Sequence, residues 1–105
     1  MNPPAGYVYV WEFMVKRDRE RDFQLAYGAD GEWVRLFRQA TGYIRSQLFR
    51  DRATPSRFLT IDYWESEAAF AAFRSQFASE FEALDTKFAA WTMSEEEIGR
   101  FEPLA

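Results

Sequence analysis

Glu12, Arg45 and Asp62 are the charged side chains of this sequence best placed for acid–base chemistry. Each falls in a strand-like segment, and counting alternate residues puts all three on one sheet face. A carboxylate held beside a guanidinium can serve as an oriented base. The same trio between two subunits would be an ion-pair network that fixes how they pair. We favour the interface reading, with Phe58 and Trp64 beside them on that face. A second group is aromatic with polar tips: Tyr9, Tyr27, Tyr63, Trp11 and Trp33. Ser46 is the one small hydroxyl among the positions assigned to the other face. These side chains could wall a binding cavity, or they could be plain core in which every hydroxyl and N–H finds a partner. Glu95, Glu96 and Glu97 could hold a hard cation, but acidic residues are ordinary at a helix start, where the dipole favours them. No metal site is expected, and no single residue is assigned a catalytic role.

The chain of 105 residues contains no histidine and no cysteine, while aromatic residues make up 19% of it. Imidazole bases, thiolate nucleophiles, zinc ligation by either side chain and disulfides are thereby excluded. The formal charge of −4 argues against nucleic acid or an anionic membrane as partner. No phosphate loop, dinucleotide fingerprint or nucleophile elbow is found. The first residues lack the pattern of a signal peptide, and no apolar run approaches the ~20 residues of a membrane helix. A cytoplasmic protein is the default expectation.

The elements that must carry these groups follow from periodicity. Residues 1–6 read as a flexible leader and 7–105 as one domain. Tyr7–Val15 is β-branched and aromatic nearly throughout, which predicts a buried strand. Asp18 is a candidate cap for a helix from Arg19 to Tyr27 that buries Phe23, Ala26 and Tyr27. After Gly28, Asp30 could cap a second helical piece over 31–40, with Trp33, Phe37 and Ala40 inward. Strands are predicted over Tyr43–Asp51 and Arg57–Glu65. Ser66 caps a long helix whose stripe is Phe70, Phe73, Phe77, Phe81 and Leu84. Lys87–Met93 is expected to be the last strand. Ser94 and Glu97 are expected to form a capping box for a short helical turn ended by Gly99. The order is βαββαβ, an α+β ferredoxin-like fold with a four-stranded antiparallel sheet and helices on one face.

Alternation divides the strand residues into two sets. Tyr9, Trp11, Phe13, Ile44, Leu48, Leu59, Ile61 and Tyr63, the more apolar set, are assigned to the helix side. The opposite face then holds Val8, Val10, Met14, Phe49, Phe58 and Trp64 beside the charged trio. Nothing left in the chain can cover it. An apolar face of that size exceeds what a monomer usually leaves open, so two copies are expected to pack sheet to sheet.

Tyr9-Val10-Trp11-Glu12-Phe13, Phe23 with Tyr27, and Gly31-Glu32-Trp33 with Leu36-Phe37 carry a further signal. So do Gly42-Tyr43, Asp62-Tyr63-Trp64-Glu65-Ser66, and Phe70 with Phe73. Together they resemble the antibiotic biosynthesis monooxygenase-like family of dimeric α/β-barrel proteins, over Tyr7 to about Phe101. The resemblance implies a homodimer with a cavity between each sheet and its helices, walled here by Tyr9, Trp11, Tyr27, Trp33, Phe37, Tyr63, Phe73 and Phe77, with Ser46 as a polar tip. It implies a small aromatic or apolar ligand and, in some members, oxidation of phenols by molecular oxygen without a cofactor. Haem-degrading members ligate iron through a histidine that this chain lacks. The alternative is a non-catalytic, ligand-binding or stress-associated dimer using the same cavity.

Overall fold

The computed structural model describes residues 5–104. Strand β1 (Tyr7–Val15) leads through a 3-10 turn into helix α1 (Glu20–Tyr27) and a short helix α2 (Glu32–Phe37). Strands β2 (Tyr43–Arg50) and β3 (Arg57–Trp64) follow, then helices α3 (Glu67–Gln76) and α4 (Ala78–Phe88), a second 3-10 turn, and strand β4 (Thr92–Phe101). The sheet order is β2-β3-β1-β4 and every pairing is antiparallel. This is the expected ferredoxin-like arrangement with the first and third strands central. Of the expected leader, residues 1–4 lie outside the described residues, and Gly6 donates its backbone N–H to the Trp64 carbonyl at 3.0 Å.

The core between sheet and helices is mostly aromatic. Phe23, Phe58, Trp64, Phe73 and Phe88 are fully buried, together with Val15. Phe23 stacks on Tyr27 at 4.0 Å, and Trp64 meets Phe37, Phe70 and Phe73 within 6 Å. Burying rings of this kind contributes roughly 1.5–3 kcal/mol apiece. Ser66 caps α3 as expected, its hydroxyl accepting the Ala69 N–H at 3.0 Å. Gly42 has φ +92°, and a Cβ there would stand 2.6 Å from the Ala69 Cβ. The turn into β2 therefore needs glycine both for its left-handed backbone and for the close approach of α3.

Several expectations are corrected. Neither Asp18 nor Asp30 caps a helix; Arg19 and Gly31 occupy those positions without a side-chain cap bond. The long helix is two, broken at Phe77 (φ −110°, ψ 29°) with neither Gly nor Pro at the break. Helix α4 runs to Phe88, and the predicted capping box at Ser94–Glu97 lies inside β4. Pairing with β1 from Val8 to Val15 holds those acidic residues extended, so tertiary pairing overrides their local preference.

The faces of β3 are also reversed relative to expectation. Phe58, Thr60, Asp62 and Trp64 are buried under the helices, while Leu59, Ile61 and Tyr63 face outward, half-buried. The register explains it: Tyr7, Tyr9, Trp11 and Phe13 stand opposite Trp64, Asp62, Thr60 and Phe58, and directly opposed residues share a face. Strand β1 keeps its expected assignment. In β2, Ile44 is the extra residue at a register irregularity, and Tyr43 and Leu48 pack against the core.

A cavity between the sheet and the helices

A cavity of about 300 Å³ opens between the sheet and the helices. Its walls are rings. Tyr9, Trp11 and Phe13 rise from alternate positions of β1, Tyr27 descends from α1, Trp33 and Phe37 from α2, and Phe70 and Phe81 from α3 and α4. Alternation along β1 and helical spacing on α2 are what bring these rings together. Six polar side chains reach the same space. Ser46, Thr60 and Asp62 come from β2 and β3; Arg74, Asp85 and Glu95 come from α3, α4 and β4. An apolar enclosure with a few convergent polar groups is the form of a small-molecule site.

Asp62 is the unusual member. It is 8% exposed, and its Oδ1 accepts a hydrogen bond from Ser46 Oγ at 2.5 Å. Ser46 Oγ is in turn 2.8 Å from Tyr43 Oη. Burial pushes the Asp62 carboxyl up to about 6, and the Ser46 hydrogen bond works against that rise. Near pH 6 the group can therefore hold or release a proton. Glu95, though much of the residue is open to solvent, is also raised, by burial of its carboxyl and then by the charge of Asp85.

The donors are equally specific. Burial raises the Tyr27 phenol above its ordinary value, so it stays protonated and can donate. Trp33 is 7% exposed, and its indole N–H makes no well-formed hydrogen bond among the described residues, although it stands close enough to the Tyr27 hydroxyl to oppose the rise of that phenol. A buried donor left unpaired is costly, and an acceptor atom on a bound molecule would relieve it. Arg74 lies 3.9 Å above the Phe81 ring at the cavity edge.

Measured against the sequence reading, Tyr9, Trp11, Tyr27, Trp33, Phe37 and Ser46 line this cavity. Tyr63, Phe73 and Phe77 do not. Tyr63 sits on the outer face, donating to Gln47 at 2.7 Å beneath the Arg45 guanidinium. Phe73 is sealed in the core, 1% exposed, and Phe77 packs against its edge. The charged trio is dispersed. Glu12 remains on the outer face, where Arg57 donates to it at 2.6 Å, while Asp62 turns inward. Phe58 and Trp64, at 1% and 0% exposure, are likewise unavailable to a partner. Sequence reasoning missed Thr60 and Asp62 as cavity residues because their polarity argued for the other face. Among the described residues no cluster of three or more His, Cys, Asp or Glu side chains could hold a metal ion.

Comparison with known proteins supplies the remaining observations. The family model for antibiotic biosynthesis monooxygenase matches residues 6–96. No curated protein matches the chain. Among solved structures, SnoaB, a cofactor-independent oxygenase from Streptomyces nogalater, superimposes with a TM-score of 0.72 at 21% identity, over 97% of this chain and 96% of that one. A candidate antibiotic biosynthesis monooxygenase from Bordetella bronchiseptica gives 0.74 at 16% identity, covering 97% and 100%. A conserved protein from Methanosarcina mazei gives 0.72 at 12% identity, covering 95% and 94%. At these identities the likeness is one of fold.

Proposed function

The chain belongs to the antibiotic biosynthesis monooxygenase family, and from that membership we propose that it binds a small planar phenolic molecule in its aromatic cavity and oxidises it with molecular oxygen, without a cofactor. The observation that carries this reading is Asp62: a buried carboxyl, pushed up to about 6 by burial, in the lining of a cavity walled by rings. The likeness to SnoaB, itself a cofactor-independent oxygenase, supports it.

The chemistry asks little of the protein. A hydroxyarene with an activated ring methylene, as in an anthrone, loses a proton to Asp62 and becomes an electron-rich carbanion. Oxygen adds to that carbon to give a peroxide, which takes up a proton. Loss of the second methylene proton then expels water and leaves a carbonyl. The methylene carbon gives up four electrons and dioxygen accepts four, one oxygen atom entering the carbonyl and one entering water. Asp62 acts as general base. The Trp33 N–H and the Tyr27 O–H are the donors that stabilise the developing oxyanion. The rings orient the substrate and exclude water.

We further propose a homodimer formed through the outer sheet face. Val8, Val10, Leu59, Ile61 and Tyr63 are half-buried there, with Phe49 and Phe101 45% and 50% exposed. Glu12 and Arg45, on the same outer face, would lie in that interface; Phe58, Asp62 and Trp64, buried under the helices, would not.

The test is oxygen uptake by chelator-treated protein given an anthrone. Asp62→Asn should slow it by at least ~100-fold while leaving ligand affinity within a few-fold. Uptake unchanged in Asp62→Asn would reject the base. Tight binding with no uptake by either protein would favour the alternative function, a ligand-sequestering dimer.

A further inference from the structure

A carboxylate is best oriented as a base when one oxygen is held still and the other is free, and the environment of Asp62 divides its two oxygens in that way. Oδ1 takes the Ser46 hydroxyl at 2.5 Å. Oδ2 accepts no hydrogen bond among the described residues, and it is not one of the buried orphan atoms. The small exposure that Asp62 retains therefore includes Oδ2, and the residue lines the cavity.

The direction of the hydrogen bonds follows from counting protons. Ser46 has one hydroxyl proton, and it is committed to Asp62. At 2.8 Å from Ser46 Oγ, Tyr43 must then be the donor of that pair. Tyr43 O–H points to Ser46, whose O–H points to the carboxylate, with both dipoles oriented to favour the negative charge. The backbone fixes the three residues. Ser46 stands opposite Asp62 in the β2–β3 register, and Tyr43 stands opposite Trp64 one irregularity earlier. The Tyr43 ring is wedged against Phe37 at 5.5 Å and Trp64 at 5.3 Å, so its hydroxyl is aimed by packing.

We propose that Tyr43 and Ser46 are positioning residues for Asp62: a two-hydroxyl chain that ties down Oδ1, leaves Oδ2 as the one oxygen presented to substrate, and stabilises the ionised form. This rests on the reading of Asp62 as the base. Chains of aligned hydroxyls polarise one another in a low-dielectric site, so Tyr43 acts on Asp62 although it does not touch it. The other titratable or charged groups facing the cavity are Tyr9 on β1, Tyr27 on α1, Arg74 on α3, Asp85 on α4 and Glu95 on β4; α2 contributes none. None of them hydrogen-bonds Asp62, which leaves Ser46 as its sole partner among the described residues.

The experiment is a carboxyl-carbon NMR titration of Asp62 in the intact protein without substrate, comparing the parent with Ser46→Ala, Ser46→Thr and Tyr43→Phe. Removing a hydrogen bond to the ionised form favours the neutral one, so Ser46→Ala should raise the midpoint by about one pH unit. Tyr43→Phe keeps the ring packing and should raise it by less, and Ser46→Thr, which keeps the hydroxyl, should hold it near the parent. The acid limb of oxygen uptake should move with the midpoint. A midpoint in Ser46→Ala equal to the parent's would overturn the proposal, and an unmoved Tyr43→Phe would remove Tyr43 from it. Should Ser46→Ala fail to fold, Ser46→Cys, whose thiol is a much weaker donor, takes its place with the same two outcomes. Because the titration needs no turnover, it stands apart from the oxygenase reading, which fails separately if Asp62→Asn consumes oxygen normally.

Discussion

Asp62 stands directly opposite Tyr9 across the central pair of strands. That pairing turns the carboxylate beneath the helices, into the same space as the phenol ring, and away from Glu12 and Arg45. It converts a residue that reads as part of a surface ion network into the polar centre of an aromatic cavity.

The first consequence concerns stability and pH. Asp62 keeps its proton in the folded chain up to about pH 6, against an ordinary value of 3.8. Between those values the native state binds a proton that the unfolded state has released. Its contribution is therefore fully present below about pH 4 and is lost as pH rises through 6, amounting to about 3 kcal/mol at most. Asp62→Asn should flatten that part of the profile. Urea unfolding from pH 4 to 8 would measure it, and parallel profiles for the two proteins would contradict it.

Trp33 tests ligand recognition. Replacing it with Ala would open the core at a cost of roughly 3–5 kcal/mol and confuse binding with folding. Trp33→Phe keeps a ring and deletes the unpaired N–H. It should weaken binding of a planar phenol by about tenfold, read by fluorescence or calorimetry at a temperature where the variant, somewhat destabilised by its smaller ring, is still folded. Equal affinities would show that the N–H meets no ligand acceptor.

The outer sheet face tests assembly. Trp64 is unsuitable for this purpose, since at 0% exposure a charge there would unfold the subunit. Ile61→Arg places a charge at the centre of the outer face, opposite Val10 on β1. The expected result is a fall in sedimentation mass from two subunits to one, with the circular dichroism spectrum preserved. A dimer that survives Ile61→Arg, and then Val10→Glu, would locate the contact elsewhere.

Gly42→Ala tests the turn that brings β2 beside α3. The left-handed backbone and the clash with Ala69 should lower stability by roughly 1–3 kcal/mol. Because Tyr43 follows immediately, the Asp62 titration midpoint should shift in the same variant. Unaltered thermal stability would mean that the turn relaxes freely.

Local pattern alone settled much of this protein. The bounds of β1 follow from an unbroken β-branched and aromatic run, the Ser66 cap from a hydroxyl placed before an amphipathic stripe, and the βαββαβ order from elements long enough to recognise. What it left undecided was which side of β3 faces inward. Leu59, Ile61 and Tyr63 alternate with Phe58, Thr60, Asp62 and Trp64, both sets carry bulky apolar residues, and alternation separates two faces without saying which is buried. Only the β1–β3 register resolves that choice, by bringing Phe58 and Trp64 into the ring cluster and Asp62 with them. Strand β4 is similar: Ser94 to Glu97 prefers a helix start by itself, and the open hydrogen bonds along β1 hold it extended. The site exists because long-range pairing outweighed the local preference of those residues.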